Sequence, residues 1–196
     1  IEAEKDVNIS GMQMGLDKLD AQAMKKVPPI LGEVDVLKIA LTLPGVQTVG
    51  EGANGINVRG GTADQNLMLL DDAIIYNPTH LFGFFSSFNP DIIKSVELHK
   101  GGIPAEFGGR ISSVFEVKTK EGNNRKFVGS GGISPVTARL TLEGPIIRDK
   151  LSYIVGGRST YSNWILKQLP NTNIKNSKAS FYDVFGKISY DINENN

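Results

Sequence analysis

From residue 136 onward apolar and polar side chains alternate with a period of two, and that period limits what this part of the chain can become. Val136, Ala138, Leu140 and Leu142 are set against Thr137, Arg139, Thr141 and Glu143. Leu151, Tyr153 and Val155 continue the theme, and Tyr182, Val184, Gly186, Ile188, Tyr190 and Ile192 oppose Asp183, Lys187, Ser189 and Asp191, with Phe185 the exception. Side chains on a strand point alternately to opposite faces, so each stretch makes a strand with one apolar face and not an amphipathic helix. Pro135 cannot donate to a ladder, which divides the first stretch into strands at about Lys126 to Ile133 and Val136 to Glu143.

Two settings suit such strands. Tyr153 and Tyr161, like Tyr182 and Tyr190, lie eight residues apart. Tilted, that length spans roughly 20 Å, close to the apolar band of an outer-membrane barrel with aromatics at its rims. A soluble sandwich with scattered tyrosines fits the alternation equally well. Turn lengths favour the barrel: Gly144 to Lys150 makes a short turn and Lys167 to Lys178 a longer polar loop, as barrels alternate. No run approaches the ~18 apolar residues of a spanning helix, so a membrane assignment must rest on strands.

The upstream part reads differently. After a polar opening, Leu16, Leu19, Ala23 and Met24 share one helical face until Pro28-Pro29, which predicts a helix there. A second helix is predicted from Glu33 to Leu43, with an acidic start at Glu33 and Asp35 and Pro44-Gly45 as terminator. Short strands are expected at Val46 to Val49, Ile56 to Arg59, Asn66 to Asp71, Lys94 to Lys100 and Ser113 to Thr119, with a short helix at Pro90 to Ile93. This is a small α/β unit with a mixed sheet. The texture changes after Lys118 to Asn124, which places a boundary at residues 122/123.

Several function classes fall away. GEGANG, Gly50 to Gly55, has the spacing of a dinucleotide fingerprint, but the residues that follow read as a strand, and the helix N-terminus that receives a pyrophosphate is missing. With 21 basic and 21 acidic residues no global field favours nucleic acid. The absence of cysteine excludes disulfides and thiolate metal sites, and His80 and His99 stand apart in sequence, so neither a metal nor a cofactor is expected. Asp71-Asp72 cannot flank one substrate bond if they are strand neighbours, which face opposite ways, and a solvated turn or strand end is expected there. No catalytic arrangement remains. The chain opens at Ile1 without a charged-then-apolar leader, so any secretion signal is expected to have been removed or to lie outside it.

The run GINVRGGTADQNLMLLDDAIIYNPTHLFGFFSSFNPDIIKSVELHKGGIPAEFGGRISSVFEVKTKEGN closely resembles the plug domain of TonB-dependent outer-membrane transporters. GEVDVLKIALTLPGVQTVGEG upstream and LEGPIIRDKLSYIVGGRSTY downstream fit the same family, so the resemblance covers about residues 28 to 165. It implies an α+β plug domain with a small mixed sheet, followed by antiparallel β-strands of an incomplete transmembrane β-barrel. The divisions would be an N-terminal segment at 1–27, the plug at 28–122 and the first wall strands at 123–196. The glycines of GEGANG and Gly60-Gly61 would be turns where close backbone approach leaves no room for a Cβ.

The resemblance also implies function. A scarce nutrient binds from outside, the plug gates the barrel, and a TonB-type periplasmic energy-coupling protein pulls on an N-terminal box, matched here by Val7, Asn8, Ile9, Ser10, Gly11 and Met12. Such an extended segment can add a strand to a partner's sheet. Arg59 and Arg110 match plug arginines that pair with barrel glutamates, whose partners would lie beyond Asn196. Tyr76, Asn77 and His80 are the ligand-facing candidates, while Phe82 and Phe84 read as plug core. The expected surroundings are outer-membrane lipid, with the N-terminus in the periplasm and a surface-exposed ligand-binding lipoprotein among the partners. Four strands cannot close a barrel, so the chain is expected to be part of a longer one. The rival readings are a soluble ligand-binding or signalling module with a plug-like fold, and an α/β enzyme using the glycine loops.

Overall fold

The computed structural model describes residues 15–192, apart from 26, 30–31, 51–54, 82, 84, 162 and 169–179. The box at Val7 to Met12, most of GEGANG, Phe82 and Phe84 therefore lie outside the described residues, as does most of the loop after Lys167. Among the described residues thirteen strands and three short α-helices run in chain order: β1 (Leu16–Asp20), α1 (Ala21–Lys25), α2 (Val36–Ala40), β2 (Val46–Thr48), β3 (Ile56–Val58), β4 (Asn66–Leu70), β5 (Ala73–Ile74), β6 (Thr79–His80), β7 (Phe85–Ser86), β8 (Ile93–His99), β9 (Ser113–Thr119), β10 (Val128–Ile133), β11 (Thr137–Ile147), β12 (Leu151–Thr160), α3 (Asn163–Leu166) and β13 (Tyr182–Tyr190).

The first sheet has the order β1-β8-β9-β4-β5. It is mixed: β4 runs parallel to β9, and the other pairs are antiparallel. Met68, Val96, Leu98, Phe115 and Val117 send one face of it into a core shared with Val36, Leu37, Ile39, Ala40, Ile56, Val58 and Phe88. The second sheet, β10-β11-β12-β13, is an antiparallel meander with long strands. Its alternation is realised in space. Leu140, Leu142, Val155, Tyr182, Val184, Ile188 and Tyr190 are exposed on one face, while Thr137, Thr141, Ser152 and Arg158 are buried on the other. The polar side faces inward, and Ile154 of β12 enters the core of the first sheet, fully buried.

Four local expectations are corrected. Leu16 to Met24 is not one helix: β1 forms first because the edge of β8 offers it a ladder, from Leu16 against His99 to Asp20 against Ser95. A single turn, α1, follows, and Asp20 Oδ1 accepts from Ala23 N at 2.7 Å. A helix this short is marginal by itself, so tertiary pairing decides. The second helix is confined to Val36–Ala40, because the Asp35 carboxylate caps Leu37 N at 2.9 Å and Lys38 N at 3.2 Å and so fixes the start. Glu33 is left outside the helix. Pro90 to Ile93 is a turn anchored by Asn89 Oδ1, which accepts from Asp91 N at 3.0 Å, and β8 begins at Ile93. Finally, β11 continues through Gly144 and Pro145 to Ile147, taking up the proline at a register shift between Pro145 and Ile147.

The expected strands at 46–49, 56–59, 66–71, 94–100 and 113–119 appear within a residue of their bounds. The strand β3 that follows Gly55 leaves no helix to receive a pyrophosphate. Asp71 and Asp72, both with left-handed φ (44° and 67°), form the two-residue turn between β4 and β5.

Candidate functional site at the junction of the two sheets

The inward polar face of the second sheet meets the first sheet through cations on the strands and carboxylates on the loops. Arg158 lies at the centre. Its side chain is 1% exposed and its guanidinium pairs with Glu33, itself 3% exposed, and with Asp183 on β13. Arg158 Nε donates to Asp183 Oδ2 at 2.9 Å, and Nη2 also donates to the Ser86 carbonyl at 2.7 Å. The guanidinium sits 5.0 Å from the centre of the Phe181 ring, a cation–π distance. His80 stacks on the same ring at 4.3 Å, and its Nε2 lies 2.7 Å from Asp183 Oδ1. The planar fork of arginine suits such a site because its donors can be shared among two carboxylates and a carbonyl at once.

Two further ties flank this centre. Lys187 Nζ reaches Asp71 Oδ2 at 3.0 Å and Thr119 Oγ1 at 3.1 Å, while Thr119 N donates to Asp71 Oδ1 at 2.8 Å. Desolvation opposes ionisation of Asp71, but the hydrogen bonds from Thr119 and Lys187 outweigh it and hold the carboxyl below its ordinary range. Arg139 Nε donates to Asp91 Oδ2 at 2.8 Å. Gly122 brings the two backbones together: its φ is +85°, and a Cβ there would stand 2.5 Å from the Tyr153 carbonyl oxygen.

The sequence-derived residues fall in different places. His80 is drawn into the arginine cluster, through Asp183 and Phe181. Tyr76 is 83% exposed and Asn77 is exposed beside it, its carbonyl accepting from Ser87 Oγ at 3.0 Å. Arg59, at a left-handed φ of 48°, is exposed and lies over Gly101. Arg110 is exposed, and its Nη1 donates to the neighbouring Gly109 carbonyl at 3.3 Å. Neither arginine reaches the second sheet among the described residues. The close approach expected at Gly60-Gly61 is made by Gly61 with Ser112, a residue of the same unit, whereas Gly60 meets nothing within 4 Å and owes its place to a φ of +80°.

Asp71 also departs from expectation, since its carboxylate is engaged by Thr119 and Lys187 and not simply solvated. Sequence reasoning passed over Glu33, Arg158 and Asp183. The available signal was Arg158 itself: on alternating strands, a cation on the face opposite the apolar set needs an acid on whatever that face meets.

Residues 10–114, more than half of the chain, match the family model described as TonB-dependent Receptor Plug Domain. No curated protein shows a significant match. Among solved structures, the siderophore receptor PirA from Acinetobacter baumannii superposes with a TM-score of 0.65 at 22% identity, over 98% of this chain and 31% of that one. PirA from Pseudomonas aeruginosa gives 0.60 at 20% identity, over 94% and 34%. The outer membrane transporter YddB from Escherichia coli gives 0.54 at 16% identity, over 74% and 26%. The chain thus spans about a third or less of the receptors it matches. With a mixed sheet under two short helices, and a meander that turns its polar face toward that sheet, the chain belongs to the TonB-dependent receptors, carrying their plug domain.

Proposed function

We propose that this chain is the plug and first wall strands of an outer-membrane transporter that takes up a scarce nutrient with energy from a TonB-type periplasmic protein. In this reading residues 28–122 are the α+β plug, joined at its sheet edge by β1 from the N-terminal segment 1–27, and 123–196 begin a transmembrane barrel. The carrying observation is the inverted alternation of the second sheet, apolar outward and polar inward onto the plug. A soluble sandwich would bury the apolar face, whereas a wall between lipid and plug needs this arrangement.

Val7 to Met12 is the segment we assign to the coupling partner, and its pull reaches the plug through β1. Tyr76, Asn77 and His80 are assigned to the ligand side, with a surface lipoprotein as a further partner there. Arg59 and Arg110 are assigned to carboxylates on later wall strands, where a fixed fork of donors can be met. No enzymatic step is involved.

The test is growth of a deletion strain on single nutrients drawn from iron chelates, cobalamin, glycans and peptides. The strain is complemented with the intact gene or with one lacking residues 7–12. Restoration by the intact gene alone is the expected result. Equal uptake with and without residues 7–12 would remove the coupling assignment.

A further inference from the structure

The face of the first sheet opposite the helices carries a ligand set that the sequence keeps apart. Glu97 on β8 and Glu116 on β9 are direct partners across the ladder. His99 stands two residues along β8, on the same side. One ligand atom from each of the three lies within 4.8 Å of the others, and all three residues are buried. Carboxylates placed directly opposite repel each other, so this pair requires positive charge beside it.

Two ammonium groups supply it here. Lys18 Nζ lies 2.7 Å from Glu97, and Lys118 Nζ lies 3.5 Å from Glu97 and 3.3 Å from Glu116. Their side chains are 62% and 45% exposed, so both heads can withdraw into water at little cost. His99 is different. It is 5% exposed, its ring packs against Phe107 with centroids 5.4 Å apart, and its imidazole forms no hydrogen bond among the described residues. It lines a cavity of about 800 Å³ together with Glu97, Glu116 and Glu106. Its ring nitrogens are not among the fully enclosed unpaired side-chain atoms of the described residues, so they open onto this cavity, where an ion can reach them.

We propose that Glu97, His99 and Glu116 hold a divalent first-row transition cation, of which Zn²⁺ is the probe of choice. One such ion replaces the two ammonium groups charge for charge. The imidazole selects zinc-like ions over Mg²⁺ and Ca²⁺, which prefer all-oxygen sites. Three protein donors leave a position for water or for Glu106. The ion belongs to the plug and clamps β8 to β9, independently of the nutrient transported. Because it competes with Lys18 for Glu97, its binding also loosens the side-chain tie of β1.

The experiment uses the intact protein in detergent, with any affinity tag removed, stripped by chelator and titrated with Zn²⁺, Mg²⁺ or Ca²⁺ by calorimetry. One equivalent of Zn²⁺ is expected, undisturbed by excess Mg²⁺ or Ca²⁺. His99→Ala and Glu116→Gln should each weaken it roughly tenfold or more, and Lys18→Ala should tighten it. Wild-type protein loaded with Cu²⁺ and treated with ascorbate gives a readout that needs no variant. Oxidation should map to His99 and not to His80, the two histidines of the chain. Absence of stoichiometric Zn²⁺ binding, full retention in both ligand variants, or oxidation confined to His80 would each overturn the proposal.

Discussion

The Arg158 guanidinium closes on the carboxylate of Glu33, 125 residues away in the chain, with almost no solvent reaching either side chain. Among the described residues the pair is the deepest of the ion pairs that join the second sheet to the rest of the chain. Removing one partner of a buried pair leaves the other charge without compensation, which costs about 3–5 kcal/mol. Arg158→Met should therefore lower the thermal unfolding midpoint in detergent clearly. Adding Glu33→Gln should recover part of the loss, since the amide oxygen can still accept from Thr137 Oγ1. Equal midpoints for Arg158→Met and wild type would show that the pair holds nothing together.

Acid should release the Asp71 tie. Its carboxyl is depressed in the fold, so its contribution is present above the unfolded value of about 3.9 and is lost as pH falls through the lower folded value. Hydrogen exchange at Thr119 N, which donates to Asp71, should rise relative to its intrinsic rate below about pH 4. In Asp71→Asn that step should be absent.

Gly122→Ala should be costly where Gly186→Ala is tolerated. The first has left-handed backbone, worth about 1–2 kcal/mol by itself, and the Tyr153 carbonyl stands where the methyl group would go. The second has nothing within 4 Å of its Cβ position and no positive φ. Unfolding midpoints of the two variants in detergent decide the matter.

Val184→Arg reads the outer face. Val184 is 78% exposed on the apolar side of β13, two residues from Tyr182, and an arginine on a lipid-facing strand costs about 2–4 kcal/mol at mid-membrane and less toward the rim. Reduced heat-resistant, folded receptor in outer-membrane fractions is expected. Unchanged assembly would place that face against water or protein.

The sequence carried the parts of this fold that depend on local repetition. The period-two stretches became β11 to β13, and the glycine-bounded β-branched runs became β3, β8 and β9 within a residue. It misled where a distant partner decides. Leu16, Leu19, Ala23 and Met24 have helical spacing, yet the free edge of β8 draws the first five residues into a strand. The junction was the least legible. Glu33 looked like a helix-start acid, and nothing near it in the chain announces Arg158. Glu97, His99 and Glu116 likewise meet only through the register of β8 against β9.

The parallel pairing of β4 with β9 has a consequence for the order of events during folding. β9 lies between β8 and β4, so the earlier strand β4 has no place in the sheet until residues 113–119 arrive. β1 likewise waits for β8. Contacts between parts so far apart along the chain are slow to form, because loop closure must precede any gain. Ile154 then enters the same core from the second sheet. The core of the first sheet is completed only when a residue of the second arrives, which sets insertion of β12 as a late step in the folding of both.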